Sequence, residues 1–300
     1  MRSVAVLALV TAAVANAQPR VPQLVVESLG ERPDLEARLR RFDAAHLRTI
    51  VQLVGLDDPG EPIRVVLVPE DTEAARAAPS WVAGFANGSS STVVLFPSRS
   101  PRYPHDSLEA VLHHELAHVL IHRAARGQPV PRWFDEGLST VAERAWTFED
   151  RRQLAWALAA GDPIAMRTLD AAFRQGPPEA TRAYALASAF VRDIIDRHGI
   201  EAPARILDLL AEGKPFDDAF EVTAGVALDD AEAAFFRQIT AWERWIPLLT
   251  SPFVLWTATT LLALYAIFIA RRRRAERRRR WEEQEATESA DMPEQNPGLD

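Results

Sequence analysis

The chain has no cysteine in its 300 residues. Disulfides are thereby excluded, and so are thiolate ligands, so a metal bound here must rest on imidazole and carboxylate. Stability has to come from packing alone. Lysine is nearly missing as well: residues 18–245 hold one lysine and 24 arginines against 34 acidic residues, a formal net charge of −9. That balance argues against nucleic acid as a partner, because a phosphate backbone is bound through a basic face. Tyrosine occurs three times, at Tyr103, Tyr184 and Tyr265, which narrows the choice wherever a phenol is needed. The chain contains no internal repeat.

Long apolar runs are confined to the two ends. Met1-Arg2, the apolar stretch 4–14 and the small-residue site Ala15-Asn16-Ala17 read as a secretory signal peptide over residues 1–17, cut before Gln18. The segment 246–270 carries no charged residue and has Trp242 and Trp245 at its leading edge. It is long enough for a bilayer, which needs about 20 residues. Eight arginines follow within residues 271–280, and a positive flank predicts a cytoplasmic C-terminus. The expectation is a single-pass protein of the cell membrane. An extracytoplasmic domain, periplasmic or extracellular, would occupy 18–245, a transmembrane helix 246–270 and a cytoplasmic tail 271–300. That tail is Arg-rich, then acidic and too poor in apolar residues to fold.

Between the ends, apolar spacing predicts a helix over 33–56. Runs at 63–68, 81–88 and 92–96 have strand character, the last two joined by a Gly/Ser turn. A helix over 107–126 follows, opened by a capping box of Asp106 and Glu109 and stopped at Gly127-Gln128-Pro129. Asp135 reads as the cap of another helix reaching about 146. Most of the remainder to 245 is helical. The fold class expected is α+β: a small N-terminal β-sheet packed on the 107–126 helix, then a mainly helical C-terminal lobe and the C-terminal transmembrane helix.

That helix carries the chemistry. His114 and His118 stand four residues apart, one turn or ~6 Å along one face, so their ring nitrogens can converge on one metal ion. Glu115 between them can reach a water at that metal as a general base. Glu136, on the next helix, could supply a third protein ligand and leave a fourth position for water. His113 points about 100° away from His114, and His122 lies two turns (~12 Å) from it, so neither completes the same site. His46 and His105 have no evident partner.

With these residues in view, the chain resembles the gluzincin zinc metallopeptidases, relatives of the thermolysin and aminopeptidase N groups, and looks most like bacterial peptidase MA-like domains. The resemblance is carried by His-Glu-Leu-Ala-His at 114–118 and Trp-Phe-Asp-Glu-Gly-Leu at 133–138. In the aminopeptidase relatives the second block reads W-L-N-E-G-F and its glutamate binds zinc; Glu136 takes that place. Seventeen residues separate it from His118, one or two fewer than in the best-known members. Glu143 falls where those relatives have a further glutamate, two helical turns on and on the same face. Zn2+ is the implied cofactor and a peptide or protein the implied substrate, with Glu115 taking a proton from water and passing it to the leaving amine. The relatives stabilise the oxyanion with a downstream Tyr or His, for which Tyr184 is the candidate; the alternative is a helix tyrosine that only packs its ring. The relatives' Gly-x-Met-Glu-Asn block, which recognises a substrate's free amine, is missing: the region reads Gly84-Phe85-Ala86-Asn87-Gly88. That departure points away from aminopeptidase specificity. The strand at 92–96 is expected to accept an extended peptide by edge pairing. The competing readings are a non-catalytic binding module that retains the fold, and zinc hydrolysis of a non-peptide amide.

Overall fold

The computed structural model describes residues 20–30, 32–42, 47–101, 104–159, 164–243 and 252–290. The expected signal peptide at 1–17, His46, Tyr103 and the segment 291–300 lie outside the described residues. The chain divides into two units, Met1–Arg237 and Gln238–Asp300.

Four short strands form the sheet of the first unit: β1 (Leu24–Ser28), β2 (Ile63–Leu67), β3 (Gly84–Asn87) and β4 (Thr92–Leu95). Their order is β1-β2-β4-β3. β1 and β4 run parallel to β2, while β3 is antiparallel to β4. Ile63, Val65, Val66 and Leu67 are all buried, the near-continuous apolar run of a strand covered on both faces. β3 turns into β4 through a loop in which Asn87 Oδ1 accepts from the Ser90 amide (3.1 Å) and the Ser89 hydroxyl (2.7 Å). That hairpin lays β3 on the outer side of β4, whose other side is taken by β2. The strand expected to pair with an extended peptide is therefore interior, and the edge belongs to β3.

Helices interleave with the strands and dominate the rest. The single helix expected over 33–56 is two, α1 (Pro33–Arg40) and α2 (Leu47–Val54), and α3 (Glu73–Ala77) precedes β3. Then come α4 (Leu108–Ala124), α5 (Arg132–Glu143), α6 (Phe148–Ala159), α7 (Leu169–Ala172), α8 (Pro177–His198), α9 (Ala202–Ala211), α10 (Phe216–Ala224) and α11 (Leu228–Glu243). The described chain is thus mostly helical with one small sheet, which corrects the expected α+β fold class with its C-terminal transmembrane helix.

The second unit holds α12 (Pro252–Ala290). Among the described residues no helix is long and apolar enough to cross a membrane. This overturns the transmembrane helix expected at 246–270 and with it the single-pass membrane localisation. The physical reason lies in the helix itself. Between Trp256 and Ala270 three threonines and a tyrosine interrupt its apolar residues. The helix also runs on unbroken into the charged Arg271–Arg274.

α4 is the central element. Val111, Leu112, Leu116, Ala117, Val119 and Leu120 are completely buried, so the helix is covered nearly all round and its polar residues lie in the core. Ser107, not Asp106, caps it: its hydroxyl accepts from the Ala110 amide at 3.1 Å. Glu109 is drawn instead into an ion pair with Arg38 of α1, so the capping box does not form. Two glycines allow the neighbours of α4 to close in. A Cβ on Gly84 would stand 3.0 Å from Val111 Cγ1 and 3.1 Å from Glu115 Cγ, so β3 lies directly over α4. One on Gly137 would stand 2.7 Å from the Ala187 carbonyl oxygen and 2.8 Å from Val191 Cγ2, which sets the approach of α5 to α8. Trp133 of α5 fills the adjoining space against Phe190 (5.4 Å) and Phe216 (5.6 Å).

Gly137→Ala should destabilise the protein by about 2–3 kcal/mol, because the methyl meets backbone that cannot yield cheaply. Urea unfolding checks this, and an unchanged midpoint would contradict the close contact of α5 with α8.

Candidate metal centre

Three side chains meet beneath β3. His114 and His118 project from one face of α4, and Glu136 comes from the first half of α5. His114 Nε2 and His118 Nε2 are 3.1 Å apart. Glu136 Oε2 stands 3.3 Å from the first and 3.5 Å from the second. Ligands bound tetrahedrally at about 2.0–2.1 Å are separated from one another by about 3.3–3.4 Å, so the three atoms have the spacing of three corners of such a site. His114 and Glu136 are 1 % and 6 % exposed. Two imidazole nitrogens and a carboxylate oxygen this close, and this deep, need a cation or a proton among them. The donor set fits a divalent metal with one open position.

A ring of carboxylates orients the imidazoles. His118 Nδ1 donates to Asp135 Oδ1 at 2.8 Å, and His114 Nδ1 stands 3.5 Å from Glu143 Oε2. Metal-binding histidines ordinarily have such a carboxylate behind them, which fixes the tautomer and turns Nε2 toward the ion. Glu143 also accepts from His105 Nδ1 at 2.9 Å, and the His105 ring packs edge-on against His114 with centroids 4.6 Å apart. His105, His114 and Glu143 thus form a second cluster of possible ligands. It uses the opposite nitrogen of His114 and lies behind the first.

The pairings set the charge states. Burial disfavours a charged His114, but its hydrogen bonds to Glu136 and Glu143 prevail and carry its pKa up to about 9. His118 is raised well above its ordinary value, Asp135 outweighing burial. Burial opposes ionisation of Glu136, yet the two histidines hold it well below the usual carboxylate range. Glu143 is likewise brought to about 2 against its burial, by His105 and His114. Glu115 behaves oppositely. It is 6 % exposed, and burial raises its carboxyl, with the nearby histidines only partly offsetting the effect.

All of these residues open on or back a cavity of about 650 Å³. Its walls include Trp81, Gly84, Phe85 and Ala86 from β3 and the chain before it, His105, Arg132, Phe173 and Tyr184. The Tyr184 ring lies 6.1 Å from that of His114, and burial with the Glu136 and Glu115 charges raises the phenol well above its ordinary value.

The structure therefore brings together His114, Glu115, His118, Glu136, Glu143 and Tyr184, the six residues selected from the sequence. His122 lines the same cavity, packed over Gly88 toward the far end of α4, and joins neither group of possible ligands. Three participants were not selected. Asp135 reads in sequence as a helix cap, but Pro131 occupies that position and the carboxylate serves His118. Its place beside Glu136 was a usable signal, because ligating histidines call for carboxylates. His105 and Arg132 carried no signal: their roles depend on contacts that only the fold creates.

A sheet laid over a helix with two histidines and a glutamate, closed by a carboxylate from the following helix, defines a peptidase-like domain with a group of side chains that could hold a metal ion. The chain belongs to the Peptidase MA superfamily, whose family model matches residues 61–241, more than half of its length. The match includes every residue of the centre. Members of this superfamily are typically metal-dependent, in keeping with the grouped His and Glu side chains. No curated protein and no solved structure matches the chain.

The metal-free protein should lose stability on both sides of a middle pH window. Glu143, depressed to about 2, contributes stability that is present above its unfolded value near 4.5 and is lost as pH falls toward 2. His114, raised to about 9, contributes stability that is full below about 6.5 and is lost as pH rises through 9. Saturating zinc should abolish the alkaline loss, because metal replaces the proton on neutral imidazole. Melting temperatures at pH 6.5 and 9, with and without zinc, measure this; an alkaline loss untouched by zinc would contradict it.

Proposed function

We propose that the protein is a zinc-dependent peptidase of gluzincin type, hydrolysing peptide bonds in a peptide or protein substrate with Glu115 as general base. The observation that carries this reading is the triangle of His114 Nε2, His118 Nε2 and Glu136 Oε2 with the Glu115 carboxylate beside it in one cavity. Two imidazoles and one carboxylate in tetrahedral spacing, with no thiolate anywhere in the chain, favour zinc among the common ions. When bound, zinc lowers the pKa of water at the open position to about 7 and polarises the carbonyl to be cleaved.

The chain's own groups do the rest. Glu115, made more basic by burial, takes a proton from the attacking water and returns it to the leaving amine. Asp135 accepts from His118 Nδ1 and Glu143 stands 3.5 Å behind His114 Nδ1, so the Nε2 atoms face the centre. Tyr184, its phenol raised well above the ordinary value, stays protonated at neutral pH and is the donor proposed for the developing oxyanion. The edge of β3, running along the cavity, is the surface proposed for an extended substrate. Among the described lining residues the carboxylates are Glu115, Asp135 and Glu136, each with a duty at the centre. None is spare to receive a free amino terminus, which supports a specificity other than aminopeptidase.

Glu115→Gln should retain one equivalent of zinc and lose cleavage of an unstructured protein substrate by about 10²–10⁴-fold. Zinc content and proteolysis measured together on wild type and variant decide the matter. Equal activity in the two, including none, would favour a binding module over an enzyme.

A further inference from the structure

The two oxygens of Glu136 have different neighbours. Oε2 faces both histidines, at 3.3 and 3.5 Å. Oε1 accepts a hydrogen bond from Arg132 Nε at 3.2 Å. Arg132 opens α5 one turn before Glu136, and its guanidinium carbon lies 5.2 Å from the centroid of the Phe173 ring. Phe173 is itself buried and packs edge-on against Tyr184 at 5.1 Å. The guanidinium is thereby held between the carboxylate and an aromatic wall. Among the described residues lining the cavity, Arg132 is the only arginine or lysine.

We propose that Arg132 is a positioning residue that holds Glu136 as a one-oxygen ligand and so keeps the fourth position of the metal centre open. This rests on the zinc reading above but goes beyond it. A carboxylate with both oxygens free can chelate an ion with both, as calcium sites show. Here that would add a donor at the position needed for water and the substrate carbonyl. Turning Oε1 onto the metal would require leaving a charge-assisted hydrogen bond from a planar donor. Arginine suits the task because its charge does not vary over the working pH range and its fork is rigid. Arg132 precedes the Trp-Phe-Asp-Glu-Gly-Leu block at 133–138 that carries the resemblance, so the block itself leaves its role unassigned.

Cobalt(II), whose visible bands are intense in four-coordinate sites and weaken as ligands are added, tests this on the full-length metal-free protein. Wild type should take up one equivalent with the intense bands. Arg132→Met should bind cobalt about tenfold or more weakly, the usual cost of losing a group that orients a ligand, and its bands should weaken as Glu136 Oε1 joins the ion. Arg132→Lys, which keeps the charge but lacks the Nε–H fork, should move in the same direction. It also carries the comparison if the methionine variant melts too low to measure. A wild-type spectrum and affinity in either folded variant would overturn the positioning role while leaving the metal centre intact. Wild type that binds no cobalt would overturn the zinc reading itself, and this inference with it.

Discussion

The rest of the structure depends on three electron-rich atoms being held within 3.5 Å of one another in a place water barely reaches. Like dipoles and a buried carboxylate do not gather without positive charge among them. The fold supplies the restraint that keeps them gathered. α4 is packed on nearly all sides, α5 is drawn onto α8 through Gly137, and β3 rests on α4 through Gly84. A helix of ordinary amphipathic character would leave its histidines at the surface, where they would be hydrated and free to turn.

Around that contact the charges are arranged in layers. The inner histidines are backed by Asp135 and Glu143, Glu143 by His105, and Glu136 by Arg132. Most of these buried groups face a partner of opposite character, which is what makes such a network tolerable in a core and selective about geometry. Glu115 is the exception. It is buried, and burial raises its carboxyl with the nearby histidines only partly offsetting the effect. The same environment that gathers His114, His118 and Glu136 thus leaves the proposed base, Glu115, beside them.

The parts of this arrangement visible in sequence are those set by local periodicity. The spacing of His114 and His118 is a property of any helix, and the apolar frame of α4 made a helix the clear reading. Glu136 was readable as a possible third ligand from its place on the next helix, whereas Glu143 and Tyr184 came from a resemblance; the fold brings Glu136 and Tyr184 to one cavity and Glu143 behind His114. What was not legible depends on contacts distant in the chain. His105 reaches Glu143 across 38 residues. Asp135 turned to His118 because Pro131 had already opened α5, and Glu109 went to Arg38 because α1 passes close to α4. The sheet order followed the same rule. A hairpin between β3 and β4 was readable from the turn, but which of the two would be covered by β2 was not. The apolar run near 246–270 was misread from length and lack of charge. The described helix there, Pro252–Ala290, carries threonines among its apolar residues and continues into the arginine block.

The central claim is that one ion is bound by two imidazoles and one carboxylate. X-ray absorption at the zinc edge of the zinc-loaded protein tests it most directly. The account requires two nitrogen ligands with imidazole scattering and one carboxylate oxygen at about 2.0–2.1 Å, completed by one light oxygen donor. A first shell of oxygen alone, or one with a single imidazole, would contradict it.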